Sequence, residues 1–213
     1  MSETKAISIA VIRRLPRYYR FLGELLKVGT IRISSRELSD RMGLTASQIR
    51  QDLNCFGGFG QQGYGYNIQE LHDEIGHILG LDKKTEAILV GGGNLGRAVA
   101  NHMDFDMRGF KLVGIFDHNE ELIGQQIKGI KVCHTDLLEE FCNLHHPQVA
   151  ILCIPKTATR LICDRLIPLG IKGFWNFSHY DLLDKHSDIV VENVHLSDSL
   201  MTLSYKMKEK FHE

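Results

Sequence analysis

No apolar run in the 213 residues approaches the roughly 20 that a membrane-spanning helix needs. Met1-Ser2-Glu3-Thr4-Lys5 lacks the charged-then-apolar layout of a signal peptide. The five cysteines, Cys55, Cys133, Cys142, Cys153 and Cys163, are odd in number and form no C-x-x-C pair. That excludes a disulfide framework and reads as reduced, mostly buried thiols in a cytoplasmic protein. Eleven histidines are present, but His72, His77, His102, His145 and His146 lack the spacing of zinc ligands, so no metal is expected. G-x-S-x-G, Walker and H-E-x-x-H motifs are absent, and with them the hydrolytic chemistries they carry. The chain also lacks repeats, low-complexity tracts and long flexible linkers.

What is present is a soluble composition, 43% hydrophobic and 24% charged, with a hidden charge asymmetry. Residues 1–60 carry ten Lys and Arg against five Asp and Glu; the remainder carries fifteen against twenty-one. A basic front end on an acidic body suggests an anionic partner for the front end alone.

The organising stretch runs from Ala87 to Asp117. The β-branched run Ala87-Ile88-Leu89-Val90 leads into Gly91-Gly92-Gly93-Asn94-Leu95-Gly96, then a helical pattern, then the apolar run Phe110 to Phe116 and Asp117. This is G-x-G-x-x-G in its full strand-loop-helix context, with an acid 21 residues beyond the last glycine. Gly91 is expected to make the tight turn, Gly93 to admit a pyrophosphate, and Gly96 to let helix pack on strand. The helix start offers free N–H groups and a positive dipole end to phosphates. Asp117, with His118 beside it, is expected at the adenosine ribose, where its charge disfavours a 2′-phosphate and so selects NAD(H). The alternative is an ordinary strand-turn-helix with no ligand.

Before this stretch, Pro16 opens a helix whose apolar positions are Tyr18, Phe21, Leu22, Leu25 and Leu26, flanked by Arg13, Arg14, Arg17 and Arg20. Ile31-Arg32-Ile33 is long enough only for an edge strand. Ser34 to Glu37 and Thr45 to Gln48 are two capping boxes on short helices separated by Gly43, a helix-turn-helix. The second helix is expected to expose Ser47, Gln48, Arg50 and Gln51 to base edges or phosphates. Phe56-Gly57-Gly58-Phe59-Gly60-Gln61-Gln62-Gly63-Tyr64-Gly65-Tyr66 has the character of a β-hairpin wing. A helical hairpin that merely packs is the other reading. A helix over about 68–79 closes this part.

Beyond it, strands are expected at 86–91, 110–116, 148–154, 171–175 and 188–192, and helices at 94–103, 135–143 and 157–168. That alternation implies a parallel, doubly wound sheet. Leu196, Leu200, Leu203 and Met207 then stripe a terminal helix that the sheet does not need, a candidate for docking on a second subunit. The expected division is 1–80, 85–195 and 196–213. Only about 20 residues remain for any substrate domain, so the dinucleotide is expected to be sensed, not consumed, and no catalytic residue is assigned.

The whole chain resembles the Rex family of redox-sensing transcriptional repressors. The resemblance rests on Ala46-Ser47-Gln48-Ile49-Arg50-Gln51-Asp52-Leu53, the glycine and aromatic stretch 56–66, and the glycine loop 91–96. Arg108-Gly109-Phe110, Gly170-Ile171-Lys172-Gly173 and Val191-Glu192-Asn193-Val194 add to it. It implies a winged helix-turn-helix domain, a Rossmann domain binding NADH or NAD⁺, and a C-terminal helix exchanged within a homodimer. The dimer would grip an A/T-rich inverted repeat in double-stranded DNA and release it when NADH binds. Arg14, Ser47, Gln48, Arg50, Gln51, Gln61, Gln62 and Tyr64 are then expected on DNA, and Ile154-Pro155 beside the nicotinamide. Many members carry cations where this chain has Gln51, Gln61 and Gln62. In the family's switch, Arg20 matches an arginine, while His102 stands at a tyrosine position and His195 at an aspartate position, with Asp198 a turn away. A compact NAD-dependent oxidoreductase and a coenzyme A-binding scaffold are the two other readings.

Overall fold

The computed structural model describes residues 7–57, 64–180, 182 and 188–211. The chain divides into two compact units, Met1–Asp82 and Lys83–Glu213.

The first unit is helical. A short α1 (Ile9–Ile12) precedes α2 (Leu15–Lys27), which has a proline in its first turn. The face of α2 bearing Leu15, Tyr18, Leu22 and Leu25 is buried, the spacing of an amphipathic helix. α3 (Ser35–Met42) starts on a complete capping box, with Ser34 Oγ accepting from Glu37 N and Glu37 Oε2 accepting from Ser34 N. It ends at Gly43 in the left-handed region, φ 63°, where glycine costs least. α4 (Ala46–Asn54) is capped by Thr45 Oγ1, which accepts from Gln48 N. The expected second capping box is only half formed, because the Gln48 side chain turns away from its cap to the buried Asp52. α5 (Ile68–Ile78) completes the core through Ile68, Leu71 and Ile75. β1 (Arg32–Ile33) pairs antiparallel with β2 (Tyr66–Asn67), Ile33 opposite Tyr66. So the described end of the glycine and aromatic stretch pairs with β1; residues 58–63, including Gln61 and Gln62, lie outside the described residues.

The second unit is a seven-stranded sheet flanked by helices. Its strands are β3 (Thr85–Val90), β4 (Phe110–Asp117), β5 (Gln126–Ile127), β6 (Ile130–His134), β7 (Val149–Leu152), β8 (Gly173–Asn176) and β9 (Val190–Asn193). Their order is β5-β6-β4-β3-β7-β8-β9, the doubly wound dinucleotide-binding order with a small strand added at one edge. All pairings are parallel except β5 with β6. The five strands expected from the sequence are all parallel; β5 and β6 are not among them, and Lys128 and Gly129, with φ 52° and 78°, form the two-residue hairpin turn that joins them.

β3 is buried on both faces, as a central parallel strand must be. Ile88 and Val90 face a core shared with α7 (Leu138–His145) and α8 (Lys156–Leu166). Ala87 and Leu89 face a second core containing Ala100 of α6 (Asn94–His102). On that second face an apolar trough of about 580 Å³ remains open, lined by Ala87, Phe105, Val149, Ile151, Trp175 and Val190 among others. α9 (Leu196–Phe211) buries no residue. Leu200, Leu203 and Met207 are at least half exposed on it. No helix among the described residues is long and apolar enough to cross a membrane.

Candidate functional site

The glycine loop lies where β3 ends and the strand order reverses, with β4 on one side and β7 on the other. Its glycines are required for different reasons. Gly91 has φ 101°, and a Cβ there would sit 2.4 Å from Cys153 O. A Cβ on Gly96 would sit 1.8 Å from Gly91 O, so α6 touches the loop's own backbone. Gly93 has an ordinary φ of −67°, and a Cβ there would meet nothing within 4 Å. Neither the backbone nor a neighbour demands glycine at 93. What would use that open space is a group from outside, next to the start of a helix with no side-chain cap and no acid in its first turn. Such a place suits a pyrophosphate.

Asn94 and the part-exposed Leu95 form that first turn. Gly92 lies between the loop and Asp117: its N–H donates to Asp117 Oδ2 at 2.6 Å. Asp117 ends β4, is 7% exposed, and also accepts from Asn119 N at 2.9 Å. The carboxylate is thereby fixed at the loop with a lone pair on each oxygen to spare. His118 points outward, its Nδ1 3.4 Å from Asp117 Oδ1. Ile154 borders the loop, its Cγ2 3.0 Å from where a Gly91 side chain would begin, and Pro155 caps α8.

In the first unit Arg14, expected on DNA, also has a partner within the domain. Arg14 Nε and one terminal nitrogen donate to the two oxygens of Asp52 at 2.6 and 2.7 Å. This bidentate pair ties the part-exposed guanidinium to the domain, a role in the fold that the sequence reading did not assign. Asp52 is 1% exposed and also accepts from Tyr18 Oη at 2.9 Å and Gln48 Nε2 at 2.9 Å. Burial alone would raise its pKa, but the bonds from Arg14, Gln48 and Tyr18 outweigh that and hold it below the usual carboxylate value. Burial, and then the bond to Asp52, push the Tyr18 hydroxyl well up, so it remains a donor. The sequence carried no local signal for this cluster, whose members lie up to 38 residues apart.

Ser47, Arg50 and Gln51 are exposed on α4, Arg50 resting on Ser35 Oγ at 3.0 Å. Tyr64 is 71% exposed and its carbonyl accepts from Arg32 at 3.3 Å. Arg20 is exposed on α2 of the first unit. In the second unit His102 is exposed at the end of α6, and Asp198 is exposed in the first turn of α9. His195 has a partner the sequence did not reveal: its ring stacks on His179, with the two Nδ1 atoms 3.2 Å apart.

Three thiols, Cys142 and Cys163, which are buried, and Cys153, which is half-buried, are held in the protonated form at neutral pH. Burial pushes Cys142 up to about 11, with Glu139 adding to it, and Cys153 and Cys163 up to about 12, while the thiolate is the reactive form.

A helix-turn-helix unit joined to a Rossmann sheet with an open glycine loop defines a nucleotide-responsive DNA-binding protein. The comparisons with known proteins agree. Residues 6–54 match the family model described as "Putative DNA-binding protein N-terminus", and residues 82–180 match "CoA binding domain". The "Redox-sensing transcriptional repressor Rex" of Caldanaerobacter subterraneus subsp. tengcongensis is 56% identical over 99% of this chain and 93% of its own length. That of Clostridioides difficile is 54% identical over 98% of this chain and 99% of its own. Among solved structures, the Rex-family repressor RSP in complex with β-NAD⁺ and operator DNA is similar, with TM-score 0.89 and 54% identity over 97% of this chain and 94% of that one. RSP in complex with β-NADH matches with TM-score 0.88 and 51% identity over 97% and 96%. The chain belongs to the Rex family of redox-sensing transcriptional repressors.

Proposed function

We propose that this protein is a cytoplasmic homodimer that holds an A/T-rich inverted-repeat operator and releases it when NADH binds. The observation that carries the reading is the space at Gly93 beside an uncapped helix start, with Asp117 fixed at the loop, in a chain that opens with a helix-turn-helix. Gly91, Gly92, Gly93, Asn94, Leu95 and Gly96 are the proposed pyrophosphate cradle. Asp117 is the proposed acceptor for the ribose hydroxyls, with His118 at the rim and Ile154-Pro155 at the nicotinamide end. Ser47, Gln48, Arg50, Gln51, Gln61, Gln62 and Tyr64 form the proposed DNA face, with residues 1–80 as the DNA-binding domain and 85–195 as the nucleotide-binding domain. Arg20, His102, His195 and Asp198 remain the proposed switch residues.

The homodimer is supported by two unpartnered surfaces in one chain, the apolar trough on the sheet and the exposed apolar stripe of α9. Residues 196–213 are accordingly proposed as the dimerisation segment. A coenzyme A reading is disfavoured by charge: that nucleotide carries a phosphate on its adenosine ribose, which the Asp117 carboxylate would repel.

The test is fluorescence anisotropy of an A/T-rich palindromic duplex with the protein, titrated with NADH and separately with NAD⁺. Release by NADH and not by NAD⁺ is the expected result; DNA binding indifferent to both would refute the reading. Gly93→Ala separates ligand fit from fold. Because a Cβ there meets no protein atom, thermal stability is expected to be unchanged. NADH affinity is expected to fall about 5- to 150-fold, since a methyl forced into a packed contact costs roughly 1–3 kcal/mol. Calorimetry and NADH titration check the two halves.

A further inference from the structure

The side chain of Gln48 stands in the first turn of α4 and is half exposed. Residues there are the ones that reach base edges when such a helix lies in the major groove. Its amide is not free to rotate. The Asp52 oxygens are also held by Arg14 and Tyr18, and an ionised carboxylate only accepts hydrogen bonds. Gln48 therefore meets Asp52 with Nε2, at 2.9 Å. Its Oε1 must then face away, together with the second N–H of the amide. The pair lies four residues apart on one helix face, a spacing that lets the side chains meet.

We infer that Asp52 is a positioning residue that locks Gln48 as a reader of adenine. An outward carbonyl oxygen beside an outward N–H is complementary to the N6 amino group and N7 of adenine, the pattern that Gln reads bidentately. Rotated by half a turn, the same amide would lead with donors and favour the O6 and N7 acceptors of guanine. The buried carboxylate forbids that rotation, so the base preference of Gln48 is set by a residue that never touches DNA. This rests on the operator-binding reading above and adds the residue and the base it selects.

The experiment uses the full chain and an A/T-rich palindromic duplex in which each adenine of a half-site is replaced in turn by 7-deazaadenine, which lacks the N7 acceptor. For the wild type, one substituted position per half-site is expected to weaken binding about tenfold. Gln48→Ala is expected to bind the unmodified duplex about tenfold more weakly and to lose all sensitivity at that position. Asp52→Asn replaces the acceptor-only carboxylate by a group that also donates and is expected to weaken the preference for adenine over guanine at that position, an unchanged preference in the folded variant overturning the role of Asp52. Circular dichroism establishes whether that variant is folded; where it is not, the Gln48→Ala arm decides. Retained sensitivity in Gln48→Ala overturns the inference while leaving operator binding intact. A wild type that binds no duplex overturns both readings.

Discussion

Gly96→Ala is expected to abolish NADH binding and to lower the melting temperature of the Rossmann unit by about 10 °C, leaving the helix-turn-helix unit folded. The added Cβ would fall 1.8 Å from Gly91 O and 3.0 Å from Leu89 Cδ2. The carbonyl cannot retreat cheaply. Gly91 donates to Phe116 O at 2.8 Å, and the space around its own Cα is closed by Cys153 O. Relief requires sliding α6 along β3, which opens the cores on which both depend. Overpacking of this kind costs on the order of 3 kcal/mol, and each kcal/mol is worth roughly 2–4 °C or more in a unit of this size. The helix start would also move from the loop, removing the place for a pyrophosphate. Calorimetry and NADH fluorescence titration check this. Tight NADH binding by the variant would show that the loop is not the site.

Arg14→Ala is expected to unfold the first unit and with it to remove all DNA binding. It leaves Asp52, 1% exposed, with only Tyr18 and Gln48 as partners. Removing one member of a buried pair costs about 3–5 kcal/mol, a large share of the 5–15 kcal/mol that a whole domain has. A phosphate-contacting arginine behaves differently: its loss leaves the fold intact and lowers the salt slope by about one. Circular dichroism of the variant separates the two. The same cluster fixes the sign of an acid effect. Because Asp52 is depressed in the folded state, its stabilisation is complete above the unfolded carboxylate pKa and is lost as pH falls through the lower folded value. The wild-type helical unit is therefore expected to melt progressively more easily below the ordinary aspartate range.

Much of this architecture follows from local sequence. The alternation of β-branched runs with helical patterns locates five of the six parallel strands, β6 being the exception, to within two or three residues, because strand burial and helix amphipathicity each leave a period in the chain. The glycine loop is legible because strand, glycines and helix follow one another directly in the chain and Gly96 answers to the backbone of Gly91, although Gly91 itself answers to the distant Cys153. What was not legible is of three kinds. The β5–β6 hairpin turns on Lys128-Gly129, without the asparagine or aspartate that usually marks such a turn. The Asp52 cluster joins residues from α2 and α4, and its effect on Arg14 and Gln48 appears only once the helices pack. The His179–His195 stack likewise joins the loop after β8 to the start of α9.

The two oxidation states of the dinucleotide are identical at the end that the glycine loop and Asp117 address. On the proposed assignment, a socket held by Gly92 N–H and Asn119 N–H before any ligand arrives would grip both equally and be ordered by neither. Equal grip shifts no equilibrium, however tight it is. On the proposed assignment, discrimination falls to the few atoms around the ring that gains or loses a hydride, the end given to Ile154 and Pro155. An uncharged apolar wall there treats the neutral reduced ring and the cationic oxidised ring differently at the cost of desolvating a charge. With that assignment the rigid half anchors and the apolar half decides, and the free energy that separates the two states of the protein would have to be generated within a few ångströms of one ring.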